Sequence, residues 1–108
     1  MNINELQSRY AAGQRDFRNL NLIAANLKNM NLSGINLSGC NLTKANLART
    51  NLSHANLSGV ILSSANLAGT NFTKANLTNV NFVDTNVQDA HLNQAVLAGA
   101  TLPDEISH

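Results

Sequence analysis

The sequence predicts an all-β fold of solenoid type, a chain wound as a coil of corners behind a short N-terminal helix. Three observations carry that prediction. Eighteen positions spaced five apart, from Phe17, Leu22 and Leu27 through to Leu97 and Leu102, are all large and apolar. The residue before this centre is Asn in 13 of the 18 units. The residue two before it is mostly small or β-branched, as in Ala45, Thr50, Ala55, Val60 and Ala65. Together 16 Leu and 19 Asn fill about a third of the 108 residues, and so strong a bias marks a repeat.

A period of five suits neither common element. On an α-helix five residues advance about 500°, so successive leucines would drift by about 140° and form no stripe. On a continuous strand an odd step turns alternate leucines to solvent. The apolar spacings instead run two, three, two, three, which asks for a short extended step and a corner in every unit. The small position adds a slower rhythm: Ala45, Ala55, Ala65 and Ala75 alternate with Cys40, Thr50, Val60, Thr70 and Val80. Opposite sides of the winding therefore differ in pairs, as four sides would. A turn of 20 residues would stack Cys40, Val60 and Val80 in one column and Ala25, Ala45 and Ala65 in another. The residues alone establish only the ten-residue alternation.

The units Ala25-Asn26-Leu27, Ala45-Asn46-Leu47, Ala55-Asn56-Leu57, Ala65-Asn66-Leu67 and Ala75-Asn76-Leu77 resemble the A-(N/D)-L-x-x motif of the pentapeptide-repeat family. The likeness runs over residues 15–104, and the opening from Glu5 to Phe17 is similar to the start of short cyanobacterial members. The resemblance implies a right-handed quadrilateral β-helix with four units per turn, hence about 4.5 coils for 18 units. The pattern departs at Ile61, His91, Val96 and Thr101, where the family carries Asn or Asp. Those departures leave the fold intact and change the surface.

The elements follow in order. Residues 1–14 read as a capping helix. Asn2 or Asn4 serves as its N-cap, the helix runs to about Ala12, and Gly13 stops it. Ile3, Leu6 and Tyr10, spaced by three and four, form an apolar face suited to covering the first coil. Residues 15–104 form the β-helix, in which five of the six glycines fall on the last position of a unit, where a corner belongs. Residues 105–108 are a C-terminal tail. The run Leu102-Pro103-Asp104-Glu105-Ile106 ends the repeat with a proline and two acids, which deter a further strand from adding on.

Composition excludes several functions. Seven basic against six acidic residues leave a formal charge of +1, and aromatics are 4% with no Trp, so neither a basic arm nor a base-stacking surface is present. A single cysteine makes no internal disulfide and no zinc site, and no apolar run reaches the length of a signal or membrane-spanning segment. The expectation is a soluble cytoplasmic protein without membrane contact. His54, His91 and His108 lack metal-ligand spacing, and Cys40 falls on an inward position where packing is its role. Leu and Ala side chains fill each coil, so no ligand-sized pocket is expected. No catalytic residue, metal or cofactor follows, and the chain does not read as an enzyme. The Asn ladder reads as turn chemistry, since Asn tolerates corners and bonds neighbouring backbone.

What remains is the outer surface. In the four-sided register Ile23, Ile61 and Val83 point outward on one wall, a β-branched cluster on an Asn/Ser surface that suits partner contact. Charge is also sorted along the chain. The bases, Lys28, Lys44, Arg49 and Lys74 among them, all precede residue 80, whereas Asp84, Asp89, Asp104 and Glu105 follow it without a base. These charges offer polar contacts, including weak head-to-tail self-association that salt would weaken. The reading is a non-catalytic protein–protein interaction, scaffold or regulatory module with an unidentified protein partner. Two alternatives stand beside it. The resemblance implies a DNA-mimicking modulator of a type II topoisomerase, which the near-neutral charge disfavours. The outward Ser and Thr at 33, 38, 43, 53, 58, 63, 73 and 78 offer a regular face for ice or solute. Direct nucleic-acid binding is disfavoured because the bases lie on different walls.

Overall fold

A computed structural model describes residues 1–103. Its one helix, α1, spans Ile3–Ala11, and Asn2 is the N-cap, its side-chain oxygen accepting the Glu5 N–H at 2.8 Å. The helix closes where Gly13 adopts φ +105°, with the Gly13 N–H on Tyr10 and the Gln14 N–H on Arg9, each at 3.0 Å. Nine residues are too few to hold a helix in water unaided, so its packing decides. Leu6 is fully buried, and Ile3 and Tyr10 lie half-buried against the core. The Tyr10 hydroxyl donates to the Ser33 carbonyl at 2.6 Å, and the Arg15 guanidinium sits 3.8 Å above the Tyr10 ring.

From Asp16 onward the chain coils. Parallel bridges join residues 20 apart, from Asp16 with Asn36 to Asn81 with Thr101, so one turn takes four pentapeptides and four walls result. The first wall carries Asp16, Asn36, Asn56, Asn76 and Val96; the second Asn21, Asn41, Ile61, Asn81 and Thr101. The third carries Asn26, Asn46, Asn66 and Asn86, and the fourth Asn31, Asn51, Asn71 and His91. Each wall contributes single bridges, because the chain turns again before a longer strand can form.

Through the first three coils, three bonds tie each wall to the next turn. At the third wall the Leu27 N–H donates to Asn46, the Asn29 N–H to Ala48, and the Asn46 N–H back to Ala25, at 2.8, 3.0 and 2.9 Å. A fourth bond closes the corner, Met30 N–H to Leu27 at 3.1 Å. The third residue of every such corner is left-handed: from Asn19 to Gly99 φ lies between 57° and 72°, and 12 of these residues are not glycine. A non-glycine residue there costs about 1 kcal/mol or more. Ala24, exposed at φ 59°, tests this cleanly. Ala24→Gly should raise stability by roughly 0.5–1 kcal/mol in urea unfolding, net of glycine's greater freedom when unfolded; an unchanged midpoint would mean the corner is not strained.

The core is the inside of the coil. Centre residues from Phe17 to Val87 are buried, while Leu92, Leu97 and Leu102 of the last turn are half-buried. Ala45, Ala55, Ala65 and Ala75 fill the small position, and the hydroxyls of Thr50 and Thr70 donate to Leu27 and Leu47 in the coil below at 2.7 and 2.6 Å. Cys40 does comparable work at the first corner: its thiol donates to the Phe17 carbonyl and its sulfur accepts the Leu20 N–H. Phe72 and Phe82 meet edge to face, with centroids 6.0 Å apart. Of the expected C-terminal stop, Pro103 is half-buried at the last turn, and Asp104, Glu105 and Ile106 lie outside the described residues.

Candidate interaction surface

The asparagines are occupied by the fold. At all 13 centre-preceding Asn residues the side-chain oxygen accepts the N–H two residues on, at 2.9–3.2 Å. Asp16 does the same for Arg18. The hydroxyls of Thr43, Thr73 and Thr78 donate to these same oxygens at 2.6 Å. The Asn ladder is thus a set of turn braces whose carbonyl oxygens are already engaged.

The second wall is different in chemistry. Ile23, Ile61 and Val83 lie on it with 49%, 46% and 42% of their surface exposed, and no described residue covers them. Their layout is finer than the sequence resolves. Ile23 and Val83 share the column after the centre but stand three turns, about 14 Å, apart, with Thr43 and Ser63 between them. Ile61 stands in the Asn column between Asn41 and Asn81, a diagonal neighbour of Val83. The wall therefore holds a pair, Ile61 and Val83, and an isolated Ile23. Ile61 also leaves the Ser63 N–H without the side-chain acceptor that Asn supplies elsewhere. Sequence reasoning missed Val96, 50% exposed on the first wall, although its departure from Asn was the available signal.

The charged candidates are all exposed. Lys44 and Asp84 share the corner column of the second wall with Ser64 between them, and Arg49 and Asp89 share that of the third with Gly69 between. Lys28 is on the third wall and Lys74 on the fourth, so no single wall gathers the bases. Among the described residues the ion pairs are Arg9–Glu5 at 3.4 Å and Arg18–Asp16 at 2.9 Å, both near the front. Hydrogen bonds from Arg18 hold the Asp16 carboxyl below its ordinary range. Arg49 is anchored differently, its Nε donating to Asn29 Oδ1 at 3.0 Å.

Groups able to do covalent or metal chemistry are scattered. His54 and His91 are exposed on separate units, and His108 lies outside the described residues. Among the described residues no three His, Cys, Asp or Glu side chains are placed to hold a metal ion. Cys40 is fully buried, and burial pushes its thiol up, the backbone N–H groups of Leu20 and Asn19 opposing more weakly. An open cleft of about 480 Å³ lies between α1 and Lys28–Leu32, and another of about 300 Å³ beside Arg49 and Asp89; neither sets a nucleophile against a base. No helix among the described residues is long and apolar enough to cross a membrane.

Comparison with known proteins agrees with this architecture. The family model described as Pentapeptide repeats matches in 8 copies over residues 21–59, 40–79 and 75–104. No curated protein matches the chain. Among solved structures, a pentapeptide repeat protein from the Arabidopsis thaliana thylakoid lumen is 29% identical over 84% of this chain and 67% of its own, with a TM-score of 0.64. A pentapeptide repeat protein from Nostoc Pcc 7120 is 32% identical over 92% of this chain and 74% of its own, with a TM-score of 0.48. HetL of Nostoc sp. Strain PCC 7120, involved in heterocyst differentiation regulation, is 36% identical over 93% of this chain and 46% of its own, with a TM-score of 0.40.

Proposed function

Because this chain belongs to the pentapeptide-repeat family, whose members are generally non-enzymatic structural or interaction modules, we propose that it is a protein-binding or scaffold module that engages its partner through the second wall. The coil is the right-handed quadrilateral β-helix of that family, a stiff post whose interior is filled and whose chemistry faces outward. One observation carries the reading. Ile61 and Val83 stand exposed as diagonal neighbours on a wall whose other outward residues between them and Ile23 are polar, Lys44 and Asp84 included, and Ile61 gives up a turn brace to be there. An exposed β-branched side chain that weakens its own corner, as Ile61 does, suits a contact better than the coil itself.

The sorted charges support a secondary role in orienting the partner. Lys28, Lys44, Arg49 and Lys74 lie in the first three coils and Asp84 and Asp89 in the fourth, so a partner meets opposite potentials at the two ends. Ile23, standing apart, is a peripheral contact at most. Head-to-tail joining of copies cannot proceed by continuing the ladder while α1 covers the first coil, so salt-sensitive association of that kind is purely electrostatic here.

The test is retention of proteins from native extract on immobilised wild type, Ile61→Asn and Val83→Asn, at two salt concentrations. Ile61→Asn restores the Ser63 brace, so the fold is kept and a specific partner should fall at least about tenfold, the loss of one well-packed aliphatic contact. A protein retained equally by the wild type and both variants and lost only in salt would move the interface to the charged corners. Retention unchanged by every one of these conditions sinks the assignment.

A further inference from the structure

The stacking ladder fails at one place. Between the first and second coils, and between the second and third, the three-bond pattern is complete on every wall. Between the third and fourth it is missing on the second wall alone. Among the described residues the N–H groups of Leu62, Ser64 and Asn81 make no backbone bond, whereas Leu42, Lys44 and Ile61, one coil below, make theirs at 2.7, 2.8 and 3.0 Å. The Ile61–Asn81 bridge is missing too, although Asn41–Ile61 below it and Asn81–Thr101 above it are formed. On the neighbouring wall the Asn86 N–H reaches Ala65 at 3.2 Å, against 2.8–3.0 Å for the same bond elsewhere.

The segment Asn81–Asp84 is not loose in every direction. The Phe82 N–H donates to Thr101 at 2.7 Å and the Thr101 N–H to Val80 at 2.9 Å, so two of the three bonds tie it to the turn above, and none ties it to the turn below. Two residues account for this. Phe82 stands in a column otherwise of leucines, Leu22, Leu42, Leu62 and Leu102, and packs edge to face with Phe72, so a bulkier side chain than leucine stands behind this wall. Ile61 removes the brace that would hold Ser63 on the opposing lip.

We propose that this wall is a seam at which the fourth coil opens as a unit: Asn81–Asp84, carrying Thr101 and Leu102, lifts off Ile61–Ser64 about the opposite, fourth wall as its hinge, loosening the bonds of the first and third walls on either side. Opening uncovers Leu62, Val80 and Phe82, which are buried when it is shut, directly between Ile61 and Val83. A shallow apolar pair then becomes a slot lined by five apolar side chains. The seam stands on the ladder geometry and not on the partner assigned above.

Amide hydrogen exchange read residue by residue tests it. In the wild type the amides of Leu62, Ser64 and Asn81 should exchange on the order of a hundredfold faster than those of Leu42, Lys44 and Ile61, and Asn76 and Asn86, whose bonds to Ala55 and Ala65 flank the seam, should share one rate between that and the slow amides of the first two coils. Phe82→Leu and Ile61→Asn, made singly, should each slow Leu62 and Asn81 and bring the fourth coil closer to the rest. Equal protection on both sides of the seam overturns the proposal. So does fast exchange confined to the three amides, with Asn76 and Asn86 as slow as the first coils, because the gap would then be static.

Discussion

Leu52→Ala should lower the unfolding free energy by about 3 kcal/mol, within the range of roughly 2–5 kcal/mol for buried leucines, and the melting temperature by roughly 10–20 °C. Leu52 is fully buried in the fourth-wall column, between Leu32 below and Phe72 above. The size of the effect depends on how well the site can collapse, and here it cannot. The Leu52 N–H is held by Asn71 at 2.8 Å and the neighbouring Asn51 N–H by Met30 at 2.9 Å, so the backbone keeps its spacing around the void. Each turn of a solenoid touches only its neighbours, so a void in the second coil weakens the coupling of everything on either side. The same substitution at Leu92, half-buried in the last turn, should cost less than half as much. Urea unfolding followed by circular dichroism compares the two; equal losses would mean that position in the stack does not matter.

Leu6→Asp should release α1 altogether. The side chain is completely buried, and an ionised carboxylate cannot stay there without a partner. The helix is too short to persist once it leaves the core. The consequence is association as well as lower stability. With α1 gone, the outward N–H groups of Asn21, Asn26 and Asn31 present an unpaired edge, and such edges recruit other strands. The last turn of a second copy, half-buried at Leu92 and Leu97 and preceded by Asp84 and Asp89, would meet the basic front. Light scattering should show mass rising with concentration, less so in high salt, alongside loss of helical dichroism. Glu5→Gln, which removes only the exposed Arg9 pair, should change stability by less than about 0.5 kcal/mol and leave the mass unchanged. Loss of the helix from a variant that stays monomeric would show that the edge is protected by something else.

Both of these positions are legible in the amino-acid sequence. Leu52 announces itself through the five-residue period, and Leu6 through its spacing from Ile3 and Tyr10. Both patterns are local consequences of side chains alternating between core and solvent. The choice of Asn2 over Asn4 as N-cap is not legible, because both satisfy the same local rule. The turn length of 20 is half visible, since chemically alike columns hint at stacking without requiring it. Less can be read of the corners: Lys44, Arg49, His54 and Gln94 adopt left-handed backbone with no local signal, because the coil imposes it and overrides their preference. Cys40 can be placed inside, but its double contact with Phe17 and Leu20 depends on residues twenty or more away that only stacking brings near. The seam is the least legible feature. Ile61 stands out as a departure, but the broken ladder also needs Phe82, which by size and polarity is an ordinary core residue.

The likeness of the columns has a price in specificity. Sliding one stretch of the coil by a whole turn would set Asn under Asn and Leu under Leu, with every turn brace remade, so misaligned windings lie close in energy to the correct one. What separates them is the small number of positions that are unlike their columns: Ile35 above Arg15, Phe72 above Leu52, Phe82 beside Phe72, and the Tyr10 hydroxyl that finds Ser33 only when α1 sits on the first coil. These exceptions act as alignment keys, and a sequence made more regular by consensus substitution would gain local stability while losing the means to tell one winding from the next.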